Sequence, residues 1–138
     1  MTQKIFPADK NALNEVLEFI ESELEKINCP AKKIMSISVA IEEIFVNIAC
    51  YSYGQNKGYV RVGFGFDSNT NIATFQISDK GIPFNPLKQS DPDITLSAEE
   101  RQIGGLGIFI AKKTMDNISY AYKNDENILT MQKIINQL

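Results

Sequence analysis

Three groups of residues in this chain have types and spacings that suit the chemistry of phosphates and nucleotides. Glu43 and Asn47 place a carboxylate and a carboxamide four residues apart, on one face of a helix. Asp79 and Gly81 follow an alternating apolar segment, and the run 104–107, Gly-Gly-Leu-Gly, opens an apolar helix. Each group alone is weak evidence. Their order and spacing together predict a site for a nucleoside triphosphate.

The first group pairs a metal ligand with a proton acceptor. Mg²⁺ keeps several waters and takes few protein ligands, so the Asn47 carboxamide oxygen plus phosphates would suffice to hold it. Glu43 would then handle a proton. At about 100° per residue, this face lies well away from the apolar stripe that runs from Ile34 to Ile48. The alternative is a solvated helix flank, of which Glu42, on a different side, is the better example.

The second group combines an acceptor with a forced turn. The Asp79 carboxylate can accept a hydrogen bond from an amino group such as the exocyclic amine of adenine. Gly81 lets the backbone turn tightly or approach a ring closely, and Pro83 fixes the geometry that follows. Because Asp and Gly are common in turns, an ordinary strand-to-loop turn is the alternative for this segment on its own.

The third group is a cluster of glycines at a helix start. Backbone amides there attract anions, and Gly104, Gly105 and Gly107 carry no side chain that would block a phosphate. A glycine inside a helix costs roughly 1 kcal/mol relative to alanine, so the cluster needs a reason. A flexible hinge or a close helix–sheet contact is the alternative. The cluster lacks the Lys-Ser/Thr of a Walker loop and the parallel βαβ unit of a dinucleotide site.

Composition excludes several other functions. The chain has no histidine, which rules out a catalytic imidazole and disfavours tight zinc binding. Cys29 and Cys50 form neither a disulfide framework nor a metal-ligand spacing. A formal net charge of −3 does not indicate a nucleic-acid-binding surface. Lys, Glu or Asn interrupts each apolar run, and residues 1–7 lack the apolar region of a signal peptide, so we expect no membrane span and a cytoplasmic location.

Hydrophobic periodicity supplies the elements that position these groups. It predicts helices over 10–27, 31–51 and 106–115, and strands over 59–66, 72–79, 118–122 and 128–135. Residues 85–103 show no strong period, and a loop of that length favours a lid. The pattern predicts one domain over 1–138 of the α+β class: a two-layer α/β sandwich with a mixed, mostly antiparallel sheet and three helices on one face. The other sheet face would need a partner or polar cover.

Taken together, the motifs resemble a known family. Glu-x-x-x-Asn on a helix, Asp-x-Gly-x-Pro-Phe after a strand, and Gly-Gly-x-Gly at the next helix are similar to the Bergerat-type ATP-binding domain of histidine kinases, gyrase and related ATPases. The segments 79–86 and 101–108, with Met115-Asp116 downstream, look like those of anti-sigma-factor serine/threonine kinases. Asn85 stands where that family frequently has Asp, and Tyr51 stands where it often has His.

The resemblance implies a role for each matching residue. Asn47 would bind Mg²⁺, Glu43 would act as general base, and Asp79 would read the adenine of ATP. Gly81 would let the base lie close. Five residues would lie near the phosphates or in the adenine site by the same resemblance. Gly105 and Gly107, with Gly104 beside them, would meet phosphate; Arg101 in the lid would reach the γ-phosphate; and the Thr130 hydroxyl in the last strand would help to hold the adenine site.

The resemblance also implies an activity and partners. It predicts an ATP- and Mg²⁺-dependent serine/threonine kinase that phosphorylates an anti-anti-sigma-type protein and sequesters a sigma factor. Because the family often dimerises, a homodimer is one expectation. Two alternatives stay open: a non-enzymatic switch in which ATP orders the lid and alters partner affinity, and a stand-alone ATPase. The missing histidine excludes autophosphorylation on His within these 138 residues.

Overall fold

The fold is a five-stranded sheet with three helices packed on one face. The structure, a computed structural model, describes residues 1–54, 56–88 and 105–136. The strands are β1 (Thr2–Pro7), β2 (Tyr59–Asp67), β3 (Ile72–Asp79), β4 (Asn117–Lys123) and β5 (Glu126–Ile134). The helices are α1 (Leu13–Lys26), α2 (Ala31–Asn47) and α3 (Gly105–Thr114). This arrangement confirms the predicted two-layer α+β sandwich.

The sheet has the order β1-β2-β3-β5-β4, and every pairing among the described strands is antiparallel. The expected mostly antiparallel sheet is therefore fully antiparallel in this part of the chain. Alternation in β2 and β3 places Val62, Phe64, Phe75 and Ile77 on the helix side, where all four are buried. These side chains form the floor on which the helices pack.

The edge strand β1 was not predicted from the sequence. Of its residues only Phe6 is buried, while Ile5 points outward and is exposed. An edge strand with one inward apolar side chain shows no alternation, so its pattern carries no strand signal. Pairing with β2, from Thr2 opposite Phe64 to Pro7 opposite Tyr59, is what makes this segment a strand.

Helix α2 is the longest helix and carries the predicted apolar stripe. Ile37, Ile41 and Phe45 are fully buried, and the helix continues beyond Asn47 as a π-helical turn over Ile48–Ser52. By length and composition the helix from 31 to 52 could cross a membrane, although Glu42, Glu43 and Asn47 interrupt its apolar run. Core helices meet the same criterion, and the buried face of this one packs into the core of the domain.

On β3, β4 and β5, the sheet face away from the helices carries polar side chains that bond to one another. Gln76 donates to the Thr130 hydroxyl at 3.3 Å, and Gln132 donates to the Thr74 hydroxyl at 3.4 Å. The side-chain amide of Asn117 also reaches Gln132, at 3.1 Å. Of the two solutions that the sequence left open for this face, partner or polar cover, the described strands provide polar cover.

Candidate functional site

A cavity of about 410 Å³ opens between α2, α3 and the ends of β3 and β5. Its walls are largely apolar, with a small number of polar side chains, a composition typical of small-molecule sites. The apolar lining consists of Ile44, Ile48, Ile77, Ile82, Phe84, Pro86, Ile108 and Leu129. The polar lining consists of Asn47, Tyr51, Ser52, Asp79, Tyr120 and Asn127.

Asp79 is the buried carboxylate of this cavity. It ends β3 and is only 6% exposed. Its Oδ1 accepts hydrogen bonds from the Ser52 hydroxyl, from the Gly81 amide at 2.9 Å, and from the Asn127 side-chain amide at 3.1 Å. A carboxylate buried in an apolar wall needs such donors, because burial without them is costly.

The segment after Asp79 is pinned to the end of α2. The Ile82 amide donates to the Ser52 carbonyl at 2.9 Å, and this carbonyl belongs to the π-helical turn. A Cβ built on Gly81 would fall on the Ser52 hydroxyl and carbonyl oxygen and lie 2.6 Å from its carbonyl carbon. The protein's own Ser52 therefore occupies the space above Gly81. Glycine is required here for contact with the helix end, and its role in letting the base lie close stays a prediction.

Tyr120 and Asn127 complete the hydrogen-bonded group around Asp79 in the cavity. The Tyr120 hydroxyl donates to Asn127 Oδ1 at 2.5 Å, and the Phe84 amide donates to the same oxygen at 3.0 Å. Burial raises the pKa of Tyr120 above its ordinary value, and the negative charge of Asp79 acts in the same direction. The phenol therefore stays protonated and keeps donating at neutral pH.

Glu43 and Asn47 lie one turn apart near the end of α2, and both are half-buried. Asn47 lines the cavity, whereas Glu43 lies outside its lining. Within the described ranges, no group of three or more His, Cys, Asp or Glu side chains could hold a metal. A metal at Asn47 would therefore rely on phosphate oxygens and water, a coordination that suits Mg²⁺.

The glycine cluster is described only in part. Helix α3 has Gly105 as its first described residue and includes Gly107 in its first turn. Ile108 in the same turn lines the cavity, so the backbone at this helix start lies beside the site. Arg101, Gly104 and most of the predicted lid lie outside the described residues.

Thr130 does not lie in the cavity, contrary to the role that the resemblance gave it. Side chains alternate along β5, and Asn127 and Leu129 face the cavity. Thr130 faces the other side of the sheet, where its hydroxyl accepts from Gln76. We therefore remove Thr130 from the candidate site.

Three polar residues of the site were missed from the sequence: Ser52, Tyr120 and Asn127. Ser52 follows the predicted helix end, and Tyr120 was assigned only to a strand. The register could have revealed Asn127, because it lies directly opposite Asp79 in the β3–β5 pair. That register depends on β5 rather than β4 pairing with β3, which local sequence does not determine.

Comparison with known proteins identifies the family of this chain. Residues 6–133 match the model of the histidine kinase-like ATPase domain, which covers most of the chain. The chain therefore belongs to the histidine kinase-like ATPase domain family. The apolar cavity with its buried Asp79, and Asn47 on the helix beside it, lies within the matched residues.

Curated relatives are more distant and longer. The serine-protein kinases RsbW of Bacillus thuringiensis (strain Al Hakam) and Bacillus cereus (strain 03BB102) are each 27% identical over 105 residues. Each alignment covers 73% of this chain and 64% of the relative. The chain thus matches slightly less than two thirds of the length of these kinases.

Solved structures share the fold at low identity. The RsbU and RsbW domains of Rv1364c from Mycobacterium tuberculosis align with a TM-score of 0.66 at 13% identity, over 100% of this chain and 34% of that chain. The blue-light activated histidine kinase EL346 of Erythrobacter litoralis aligns with a TM-score of 0.61 at 13% identity, over 89% of this chain and 42% of that chain. These likenesses support the fold.

The contact between Gly81 and Ser52 gives a stability prediction. Gly81→Ala should destabilise the protein by about 1–3 kcal/mol, because the new methyl group overlaps backbone that cannot move away cheaply. Gly65→Ala is the matched control: there the nearest atoms, all of Met1, lie at 3.8 Å or more. The control should change stability by less than about 1 kcal/mol. Urea unfolding of both variants measures this, and equal midpoints would contradict the contact.

Proposed function

We propose that this chain is an ATP- and Mg²⁺-binding serine/threonine protein kinase of the anti-sigma-factor type. The observation that carries the proposal is the buried Asp79 carboxylate in an apolar cavity beside Asn47 and the start of α3. Membership of the histidine kinase-like ATPase domain family and relatives named as serine-protein kinases support it.

The apolar end of the cavity suits a purine base. A flat apolar ring would pack against side chains such as Ile48, beyond the end of α2, and the strand neighbours Ile77 and Leu129. Asp79 would accept a hydrogen bond from the exocyclic amine of adenine. Because an ionised carboxylate can only accept, it selects a base that presents a donor at this position. This arrangement favours ATP over GTP, because guanine presents a carbonyl oxygen at the corresponding position and would face the carboxylate.

The other end of the cavity suits phosphates. Asn47 would hold Mg²⁺, which neutralises phosphate charge when bound, and the start of α3 offers backbone amides to an anion. Gly105 and Gly107, with Gly104 beside them, would allow the phosphates to approach that backbone, and Arg101 would reach the γ-phosphate.

Glu43 would act as the general base. It lies one helical turn before Asn47 and outside the cavity lining, so a protein hydroxyl could approach it from solvent. The carboxylate would take the proton of the acceptor hydroxyl as its oxygen attacks the γ-phosphorus and the bond to the β-phosphate oxygen breaks. Little else is needed, because phosphoryl transfer depends mainly on positioning and charge neutralisation.

The acceptor and the target would be proteins. An anti-anti-sigma-type protein would supply the serine hydroxyl, and a sigma factor would be the sequestered partner, as the motif resemblance to anti-sigma-factor kinases implies. The likeness to serine-protein kinases supports a serine as acceptor. Such a role places the protein in the cytoplasm, in the regulation of transcription.

Replacement of Asp79 tests the base site. Asp79→Asn should weaken ATP binding by about 1.5–3 kcal/mol, because a hydrogen bond to a charged acceptor is lost. Preference for ATP over GTP should shrink with it. Asp67→Asn is the control, since Asp67 also ends a strand, β2, but is exposed and distant from the lining. Calorimetry that finds the same ATP affinity in folded Asp79→Asn protein would refute the assignment.

Replacement of Glu43 tests the reaction. Labelled ATP is incubated with the protein and a panel of serine-bearing acceptor domains from the same genome. Glu43→Gln should lower transfer by about 10²–10⁴-fold with little change in ATP affinity, because only the proton acceptor is lost. The neighbouring Glu42→Gln is the control and should keep full transfer.

Each outcome of that experiment has a distinct meaning. Label on the acceptor supports the kinase, free phosphate alone supports an ATPase, and ATP binding with neither product supports a switch. Full transfer by folded Glu43→Gln protein would show that Glu43 is not the base.

A further inference from the structure

Asn127 is the buried polar side chain of the cavity that the three motifs leave without a role. It is 7% exposed and uses both ends of its amide. Nδ2 donates to Asp79 Oδ1 at 3.1 Å, to the Ile82 carbonyl at 3.0 Å and, more weakly, to the Gly81 carbonyl at 3.4 Å. Oδ1 accepts from the Phe84 amide at 3.0 Å and from the Tyr120 hydroxyl at 2.5 Å.

These contacts fix the orientation of the amide. Reversal would place the Nδ2 donor against the Phe84 amide, itself a donor, and would place Oδ1 against two carbonyls and a carboxylate. The backbone of Asn127 is equally fixed, because it sits in β5 directly opposite Asp79 in β3. Asn127 therefore holds the segment that follows β3 at a fixed position against the sheet.

We infer that Asn127 is a positioning residue for base selection: it aims the Asp79 carboxylate at a purine amine and holds the Ile82–Phe84 wall against the ring. This inference rests on the proposed function of the cavity. It assigns selectivity for a purine that carries its exocyclic amine at C6, as adenine does, to Asp79 and Asn127 acting as a pair.

The hydrogen bonds of Asp79 show how the pair works. Every hydrogen bond that the described residues make to this carboxylate ends on Oδ1. Oδ2 is thus the oxygen that a ligand can use. Without the Nδ2 donor of Asn127, the carboxylate would lose one of three restraints on its rotation, and the donors that remain, Ser52 and Gly81, lie outside β5.

The same side chain also sets the shape of the wall. Ile82 and Phe84 both line the cavity, yet their side chains are 66% and 53% exposed, so packing alone does not hold them. Their backbone groups are held by the two ends of the Asn127 amide, and the Ile82 amide is held by Ser52. Loss of Asn127 would free one side of this wall.

The test compares two nucleotides that differ only in the amine. Calorimetry in the presence of Mg²⁺ measures Kd for ATP and for the triphosphate of purine riboside, which lacks the exocyclic amine. Wild-type protein should prefer ATP by about tenfold or more, the value of a hydrogen bond to a charged group. Asn127→Ala and Asn127→Ser should reduce this preference to about threefold or less.

The ratio of the two dissociation constants distinguishes a positioning role of Asn127 from a purely structural one. A residue that served only the fold would weaken both nucleotides equally and leave the ratio unchanged. Gln132→Ala is the matched control, because Gln132 lies in the same strand but faces the open side of the sheet. A double variant, Asp79→Asn with Asn127→Ala, should keep the same preference between the two nucleotides as Asp79→Asn alone, because Asn127 acts through the Asp79 carboxylate.

Three results would overturn the inference. One is a folded Asn127 variant whose ratio of dissociation constants equals that of the wild type. Another is a double variant, Asp79→Asn with Asn127→Ala, that is less selective than Asp79→Asn alone. The third is failure of both Asn127 variants to fold, which would show that the residue serves folding rather than selection. If wild-type protein binds neither nucleotide or shows no preference, the proposed function itself fails, which is a separate outcome.

Discussion

The structure of the site depends on one constraint: a carboxylate buried in an apolar wall must be supplied with hydrogen-bond donors. Asp79 receives donors from the π-helical turn after α2, from the turn after β3 and from β5. Satisfying this carboxylate therefore joins the helix layer, the sheet and the loop segment. The cavity keeps its shape because the three elements that surround it meet at Asp79.

The two ends of the cavity differ in chemistry because different elements build them. The sheet ends and the Ile82–Phe84 segment supply apolar area and the carboxylate, which suit a base. Asn47 on α2 and the first turn of α3 supply a carboxamide and backbone amides, which suit a metal and phosphates. Helix α2 and the π-helical turn that continues it line both ends, so their position relative to the sheet sets the distance between the two ends.

The sequence predicted the parts of this molecule that depend on local pattern. Both central strands, the three helices and the cavity positions of Asn47 and Asp79 follow from periodicity and turn chemistry. What it missed depends on contacts distant in the chain. Strand β1 forms by pairing with β2, and Gly81 has to be a glycine because Ser52 lies against it. Whether Asn127 or Thr130 faces the cavity depends on the register between β3 and β5. Side chains alternate along β5 between the cavity face and the open face of the sheet. A register shift of one residue would have turned Thr130 toward the cavity and Asn127 away from it.

In the proposed function, a nucleotide binds with its base at Asp79 and its phosphates at Asn47 and α3. A crystal structure with Mg²⁺ and a non-hydrolysable ATP analogue measures this directly. We expect density for the adenine amine about 2.7–3.2 Å from the Asp79 carboxylate, with the phosphates between Asn47 and the first turn of α3. Density for the base outside this cavity, or phosphates directed away from α3, would contradict it.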